Sequence, residues 1–411
     1  MYPTIKIDAT VQTISSLQNV QTKEVIHSDT NQRYLILNTD TNYVCNDDTK
    51  YRHYNSVVLD PATRSILCIG PPISYDWTTF KTLYPEEEVK NDHIHIEEMI
   101  EGLSVYLFYD FRIKQWEIAT KNSVAGNYSY YRLPGVPTKT FRQMLFETLN
   151  LNIQTQTLND WVGIQFLNTK HCYHFILQHP DNHMVLNQIL PKLYFCGMYQ
   201  LHIDGVMNDV VYYSAHWKQV FPNDFIYLPN KWSWDGNSFS YDGILSKYNA
   251  SHTDESLHMG FSLLHNHTGY RTFVINQRYK DLQTLRGTHP NMLYQYICLR
   301  KVAKVREFLL HFPQYKQLFW SFYELYEKLI EQMHKSYFDY YIKKAERQIQ
   351  KKLFFHIAQI HHTVYKPSLQ EETKIVVRKK VVREYLDKLE PGCILHLLQH
   401  DKYTQEGVVR E

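Results

Sequence analysis

The stretch IEEMIEG, residues 96–102, gathers three glutamates and a glycine around one methionine. Carboxylates can position a divalent cation or a polar substrate group. The thioether of Met99, by contrast, has no proton to donate and is not an amine or hydroxyl nucleophile. Taken alone, the pattern predicts a solvated acidic pair at residues 97–98, an ion-paired Glu101 and a tight turn at Gly102.

Other side chains that could react or bind a metal lack the spacing of a site. The six cysteines lie far apart and form no CxxC, which favours free thiols in a reducing compartment over disulfides or zinc. The pairs His93/His95 and His361/His362 have no third ligand at suitable spacing, so surface or packing roles are expected. The sequence has no G-x-S-x-G elbow, Walker A loop or GxGxxG. We therefore expect no metal site.

Composition and charge bound the class of protein. With 411 residues, 44% hydrophobic and 21% charged, the chain is long enough for two or three globular domains. It has no apolar run of 18 residues and starts with MYPTIKIDATVQ, so a membrane span and a signal peptide are not expected, and cytoplasmic residence is. Residues 301–411 hold 20 basic against 14 acidic side chains, which makes this region the better partner for a polyanion.

Hydrophobic periodicity changes near residue 285. Before it, short β-rich runs are separated by turns, and one segment at 138–149 has helical spacing. The predicted strands are 33–38, 55–60, 104–110, 115–121, 174–178 and 260–265. After Pro290 the pattern is helical, with a break at Phe312-Pro313. Its apolar residues recur at the spacing of a buried helical face: Leu309, Phe312, Leu318, Phe322, Leu325 and Leu329. The sequence thus predicts an α+β domain with antiparallel sheets over residues 1–285 and an all-helical, basic domain over residues 286–411.

Five blocks of sequence, taken in order, resemble the motifs of one enzyme family. The blocks are NSVVLDPATRSILCIGPP, IEEMIEGLSVYLFYD with the later WEIATKNSVAG, HFILQHPDNHMV, HMGFSLLH and RTFVINQRYKDLQTLRG. Together they resemble the ATP-dependent RNA ligases of phages and large DNA viruses, within the covalent nucleotidyltransferase superfamily. The resemblance spans roughly residues 30–300, and a helical tail follows it, as in some of these ligases. It implies a nucleotidyltransferase fold and a viral origin.

The resemblance also implies a reaction that this sequence is not equipped to perform. In the family a lysine attacks the α-phosphate of ATP with Mg²⁺ present and becomes lysyl-AMP, but Met99 stands at that position. Glu101, Gly102 and Lys121 match the family pattern. The departures are Asn55 for arginine, Ile176 and Met259 for glutamates, and Phe273 and Ile275 for lysines, or Val274 if the register slips by one.

Except for Asn55, these departures place an apolar side chain where the family has a charged one. Removing one partner of a buried ion pair costs about 3–5 kcal/mol, whereas removing all partners together avoids that cost. We therefore expect the former pocket to have packed shut as core, with no catalytic residue and no cofactor. The set expected to form this core is Met99, Ile176, Met259, Phe273 and Ile275.

A basic stripe in the helical region suggests a nucleic-acid contact. Tyrosines and a phenylalanine at 337–341 accompany it, and cations beside aromatic rings suit RNA backbone and base stacking. The alternative is a solvated helix face over an aromatic core. The predicted RNA-binding residues are Lys343, Lys344, Arg347, Lys351 and Lys352 on one helical face, and Arg378, Lys379 and Lys380 on a later helix.

Three hypotheses for function follow. The first is a pseudoenzyme, a catalytically degenerate ligase-like protein that binds RNA or acts as a scaffold, from a large DNA virus. The second is an active ATP-dependent RNA ligase that uses Mg²⁺ and a displaced nucleophile, Lys121 or Lys114. The third is a subunit that binds other viral proteins in a transcription or RNA-processing assembly and does not use RNA.

Overall fold

The computed structural model describes residues 4–17, 19–40, 49–89, 93–130, 138–204, 207–213, 226–232, 239–250, 257–344, 350–371 and 374–406. The chain forms two compact units, one that runs through Thr284 and one that begins at Leu285. The first unit combines antiparallel sheets with a few helices, and the second is helical. The expected α+β class with a helical C-terminal region is therefore confirmed.

Fifteen strands are seen in the described part of the first unit. They are β1 (Thr4–Asp8), β2 (Val20–Ile26), β3 (Arg33–Thr39), β4 (Val57–Leu59), β5 (Ile66–Cys68), β6 (Ile94–Glu98), β7 (Leu103–Asp110), β8 (Gln115–Thr120), β9 (Ser123–Val124), β10 (His171–Gln178), β11 (Lys192–Asp204), β12 (Met207–Tyr213), β13 (Lys231–Trp232), β14 (Gly260–His265) and β15 (Arg271–Ile275). Each of the six predicted strands is present, and β14 has the predicted bounds.

The strands form three antiparallel sheets. The largest has seven strands in the order β1-β12-β11-β10-β7-β8-β9. The other two have four strands each, in the orders β2-β3-β4-β5 and β13-β6-β14-β15. Side chains alternate between the faces of a strand, so β7 shows how the large sheet is buried on both sides. Val105 and Leu107 pack into one core with the helix at Phe141–Thr148, while Tyr106 and Phe108 pack against the β2–β5 sheet.

The helices of the first unit pack on the sheets or join strands. They are α1 (Val11–Ser16), α2 (Thr49–Arg52), α3 (Trp77–Leu83), α4 (Phe141–Thr148), α5 (Tyr241–Ala250) and α6 (Gln277–Arg286), the last of which crosses the boundary at Thr284. Helix α4 is the one predicted from the sequence, and a capping box fixes its start because Thr140 and Gln143 exchange side-chain-to-backbone hydrogen bonds. Its apolar face, Phe141, Met144 and Leu145, is buried as the spacing indicates.

The second unit is built from helices around an aromatic core. They are α7 (Met292–Lys301), α8 (Val305–His311), α9 (Lys316–Tyr337), α10 (Lys351–Ile360), α11 (Lys366–Ser368), α12 (Lys379–Lys388) and α13 (Pro391–Glu406). A π-helical turn follows α9 at Phe338–Ile342 and another follows α10 at His361–Tyr365. The predicted break at Phe312-Pro313 is confirmed between α8 and α9.

The buried face of α9 differs in part from the predicted one. Phe322 and Leu329 are buried as expected, but Leu325 is exposed. Tyr326 takes the core position instead, with its hydroxyl donating to Asp387 at 2.7 Å. A tyrosine can bury its ring while its hydroxyl keeps a hydrogen bond. Tyr326 can therefore occupy the core position, and its neighbour Leu325 is exposed.

Two expectations about the whole chain concern thiols and membranes. Cys68, Cys172, Cys196, Cys298 and Cys393 are free thiols, as predicted. The remaining cysteine, at position 45, lies outside the described residues. Within the described ranges, no helix has both the length and the hydropathy to cross a bilayer.

Candidate functional site

An open cleft of about 330 Å³ lies within the first unit, where two sheets face each other. The seven-stranded sheet contributes Ser104, His174 and Ile176, and the β13-β6-β14-β15 sheet contributes side chains that include Arg271 and Phe273. The remaining wall comes from loops: Asn55, residues 71–74, Met99, Ile100, Lys121 and Pro229. The cleft thus collects residues from every block that carries the family resemblance.

Met99 lies in the wall of this cleft, between two segments of backbone that pack closely against their neighbours. Its N–H donates to the carbonyl of Gly260 at 2.9 Å, which extends the pairing of β6 with β14 by one residue. Gly260 has φ +147°, and a Cβ there would overlap the carbonyl oxygen of Val274. At Gly102 a Cβ would lie 2.6 Å from both the Ile176 side chain and the Leu177 carbonyl oxygen. A side chain at either position would collide with neighbouring atoms, which explains why both residues are glycine. The tight turn predicted at Gly102 is therefore not what requires glycine there.

Glu101 is buried and holds a loop in place. Its carboxylate accepts hydrogen bonds from the backbone N–H groups of Met184, Val185 and Leu186 at 2.6–3.1 Å. Charge-assisted bonds of this kind compensate a buried carboxylate without a cation. The ion pair expected for Glu101 is therefore wrong, because backbone amides take the place of the cationic side chain.

The acidic pair before Met99 lines the cleft and is not the solvated pair that was expected. Glu97 is only 15% exposed at its side chain and lies 3.5 Å from the ammonium of Lys231. Glu98 accepts a hydrogen bond of 2.6 Å from the side-chain amide of Asn230. Strand β13 and the residue just before it thus supply the partners of both carboxylates. Sequence reasoning missed these contacts because β13 has only two residues.

Arg271 and His174 give the cleft its remaining polar character. Arg271 is on the same face of β15 as Phe273, two residues away, and this spacing was the signal that could have identified it. Burial, with a smaller contribution from the nearby charge of Arg271, lowers the pKa of His174 to about 3, so the imidazole is neutral at pH 7. Burial, with Glu97 nearby, raises the pKa of Cys196 to about 12, which leaves its thiol protonated and weakly nucleophilic.

The prediction that the pocket has closed into core is wrong. Met99, Ile176 and Met259 are only half-buried, while Phe273 is 37% and Ile275 43% exposed. Met99, Ile176 and Phe273 line the cleft, whereas Met259 and Ile275 lie outside its lining. Met99, Ile176 and Phe273 thus form an apolar part of the wall and leave the space between the two sheets open.

The two faces of β15 and the two candidate lysines differ in whether they reach the cleft. Val274 packs into the core beneath the β13-β6-β14-β15 sheet, so the alternative alignment that places it in the cleft is wrong. Lys121 lines the cleft with an exposed side chain. Lys114 is in the turn between β7 and β8, exposed and outside the cleft lining. Asn55 uses its side-chain amide to donate to the carbonyl of Pro71 at 2.7 Å, which fixes the loop at the cleft edge.

The predicted basic stripe does not form one helical face. The helical segment ends with the π-turn at Ile342, Lys344 has a left-handed φ of +52°, and α10 begins only at Lys351. Lys343, Lys344 and Lys351 are exposed, Lys352 is half-buried, and Arg347 lies outside the described residues.

The basic residues of the later helix are partly neutralised. Lys379 pairs with Glu331 at 2.8 Å, and Lys380 lies 3.9 Å from Glu384. Arg378 is the exposed N-cap residue of α12. Ion pairing between side chains lowers the positive charge that these residues can offer to a phosphate backbone.

The histidine pairs take part in ring packing. His361 stacks on Tyr341 with ring centroids 3.8 Å apart, which confirms a packing role. His93 contacts the rings of His265 and His267. Among the residues that the structure describes, no three His, Cys, Asp or Glu side chains are grouped so as to hold a metal ion.

Comparison with known proteins adds a coarse similarity. No protein-family model matches the chain, and no curated protein matches it. A Naegleria gruberi RNA ligase variant solved with ATP and manganese is similar over 52% of this chain and 63% of that one, with 14% identity and a TM-score of 0.35. An Aquifex aeolicus protein described as an ATP-dependent DNA ligase is similar over 87% and 88%, with 12% identity and a TM-score of 0.39. Values this low assign no activity, substrate or cofactor.

Proposed function

We propose that the chain is a non-catalytic, ligase-like protein that binds RNA without forming a covalent nucleotide adduct. The observation that carries the first half is Met99 in the wall of a cleft that is still open. Lysyl-nucleotide chemistry needs an amine within reach of the α-phosphate, and a thioether cannot take that role. The proposal includes no cofactor, and the viral origin and cytoplasmic location inferred from the sequence are part of it.

Exposed aromatic rings beside lysines support the RNA-binding half. In the second unit Phe338, Tyr340, Phe354 and Phe355 are all exposed, and the rings of Tyr340 and Phe354 meet edge to face at 5.6 Å. The ammonium of Lys343 lies 5.3 Å from the centre of the Phe338 ring. Aromatic platforms with nearby cations bind unpaired bases by stacking and attract the phosphates. We therefore assign the RNA contact to these rings with Lys343, Lys344 and Lys351, and a lesser part to Arg378, Lys379 and Lys380.

RNA binding is tested by fluorescence anisotropy with a labelled single-stranded RNA of mixed sequence. Phe355→Ala should weaken binding by about 1–3 kcal/mol, the range measured for loss of one stacked base. Trp320→Ala is the matched control because Trp320 is equally exposed, 63% against 61%, on α9 of the same unit. Affinity that falls equally in both variants, or in neither, would contradict the assignment.

Salt separates this proposal from the protein-interaction hypothesis. Exposed apolar side chains elsewhere in the second unit, among them Leu310 and Trp320, favour a protein partner as the second candidate. Binding through phosphates weakens steeply as salt rises, whereas an apolar protein interface persists. Wild-type protein that shows no RNA affinity even at low salt would favour the protein partner.

The absence of chemistry is tested by incubation with α-labelled ATP and Mg²⁺, followed by denaturing electrophoresis. We expect no labelled band from the wild type. Lys121 is the one primary amine among the described residues that line the cleft, and this supports the active-ligase alternative. A labelled band that disappears in Lys121→Ala would establish that alternative, and Lys114→Ala serves as the control lysine.

A further inference from the structure

A second cavity, of about 530 Å³, lies in the first unit away from the cleft. Its walls come from the β2–β3 turn, the start of β8, the start of α4 and the segment 153–157. Among its lining residues, Ile153 is the one apolar side chain. The volume falls within the range of about 300–1,000 Å³ that is usual for small-molecule sites. We call this space the His27 cavity.

The His27 cavity has a buried charged floor with its hydrogen bonds satisfied. Glu117 is 2% exposed at its side chain and contacts Nε2 of His27 at 2.9 Å and Nη1 of Arg142 at 2.6 Å. Its Oε1 also accepts from the N–H of Ile118 at 2.8 Å. Networks that are satisfied in this way are rigid, so the floor is preorganised before any ligand arrives.

The tautomer of His27 is fixed by its neighbours. Its Nδ1 accepts from the backbone N–H groups of Asp29 and Thr30 at 3.1 and 3.3 Å. The ring proton is therefore on Nε2, which donates to Glu117. With His27 neutral, the lining has two carboxylates, those of Asp29 and Glu117, and one guanidinium, that of Arg142. Glu117 and Arg142 cancel each other as an ion pair, so the lining keeps the one negative charge of Asp29, which disfavours an anion.

The groups that are left to face a ligand include both donors and acceptors. Asp29 accepts from the Ser28 hydroxyl at 2.7 Å and also interacts with the Asn127 side chain, and its carboxylate oxygens keep further lone pairs with which to accept. Gln156 uses its carbonyl oxygen to accept from the N–H of Asn152, which leaves its NH₂ group to donate. The side-chain amide of Gln115 can do both. The Ser28 hydrogen bond is the main cause that lowers the pKa of Asp29, so this acceptor is ionised at pH 7.

We propose that the His27 cavity binds a neutral, polyhydroxylated small molecule, a saccharide of one or two rings. A hydroxyl group donates and accepts at once, so vicinal hydroxyls match a wall that carries carboxylate, amide and guanidinium groups together. Every residue on which the site depends is in the first unit, and the site is independent of the RNA-binding proposal.

The test is saturation-transfer NMR on the full chain with D-ribose, D-glucose and maltose, and with inorganic phosphate and spermidine as charged probes. We expect signal transfer to at least one of the saccharides, with an affinity that falls about fivefold in Gln115→Ala and in Asp29→Asn, as expected for one lost hydrogen bond. Gln188→Ala is the matched control, since Gln188 is likewise half-buried. Thermal unfolding confirms that each variant is folded.

The negative outcomes are equally defined. No transfer to any of the three saccharides overturns the proposal, as does an affinity that both cavity variants leave unchanged. Phosphate or spermidine that binds with the predicted sensitivity to Gln115→Ala, while the saccharides do not, would show a charged-ligand site and overturn the chemical class.

Discussion

Two buried glutamates in the first unit are stabilised in different ways. Glu117 is held by cationic or polar side chains, His27 and Arg142, together with one backbone amide. In the described part of the structure, the contacts of Glu101 are to three successive backbone amides. Removal of a carboxylate that is paired with a cationic side chain leaves that cation without a partner. Removal of a carboxylate that is bound by backbone amides deprives those amides of a hydrogen-bond acceptor only. The first arrangement should therefore be the more sensitive to mutation.

The largest expected effect is at Glu117. Glu117→Ala leaves the Arg142 guanidinium, whose side chain is only 13% exposed, without its buried carboxylate partner, and we expect the free energy of unfolding to fall by about 3 kcal/mol. Urea unfolding followed by circular dichroism measures this change. Glu117→Gln keeps an acceptor for Ile118 and should cost less than alanine. Equal stability of the alanine variant and the wild type would remove the contrast between the two glutamates.

Glu101 gives the second effect. Glu101→Gln replaces one charged acceptor oxygen with an NH₂ group that faces backbone donors, so we expect a loss of about 2 kcal/mol. Glu24→Gln is the control because Glu24 makes an exposed pair with Arg33 at 3.4 Å, where a change of at most about 0.5 kcal/mol is expected. A larger loss at position 101 than at position 117 would reverse the comparison.

The pH dependence of stability extends the comparison, because burial holds several histidines in the neutral form. Burial is the main cause that lowers the pKa of His53 and His265 to about 4, and that of His174 to about 3. The unfolded chain, with histidine pKa values near 6.5, binds more protons below that pH. Stability should therefore be unaffected by these groups above pH 6.5 and should fall as the pH drops from 6.5 toward 4.

The slope is about 1.4 kcal/mol per pH unit for each histidine that differs in protonation between the two states. Urea unfolding at a series of pH values measures it. A His174→Asn variant should have a shallower slope than the wild type, whereas substitution of the exposed His362 should not change it. A slope that is the same in all three proteins would contradict the neutral, buried state of His174.

The smallest effect belongs to an ion pair in the second unit. Arg383 donates both guanidinium nitrogens to Glu327, at 2.5 and 2.7 Å, but both side chains are about one-third exposed. Solvent screens such a pair, so Arg383→Gln should lower the free energy of unfolding by about 0.5–1 kcal/mol. The loss should shrink when salt is added. A loss as large as that at Glu117 would show that exposure is not what separates the two cases.

Six of the fifteen described strands were predicted from the sequence, and each of these six has buried side chains. In β14, Phe261 and Leu263 pack inward, and the β-rich run GFSLLH predicted the bounds of the strand. Helix α4 was predictable from the spacing of Phe141, Met144 and Leu145. In each case a local pattern reports directly on burial.

The helix end near Lys344 was not predictable in this way. The residues from 338 to 344 include no glycine or proline, yet the chain passes through a π-turn and a left-handed residue there. The aromatic packing of Tyr337 and Tyr341 around His361 brings these turns together through tertiary contacts that no sequence window contains.

The sequence predicted where the site lies but not that its cleft is open. The resemblance placed Met99, Ile176 and Phe273 together, and all three line one cleft. It also led to the wrong expectation that this cleft is filled. Whether a cavity collapses depends on how far its walls can move, and the main walls of this cleft are hydrogen-bonded sheets. The prediction of a solvated Glu97 is wrong because its partner, Lys231, is remote in sequence.

The Glu101 carboxylate has a consequence for amide hydrogen exchange. Met184, Val185 and Leu186 belong to no helix or strand, and such loops usually exchange their amide protons quickly. Here the three N–H groups are bonded to one buried carboxylate, so they open only when the start of β7 separates from this loop. Their protection against deuterium should be close to that of strand amides, and Glu101→Gln should remove it at these three positions first.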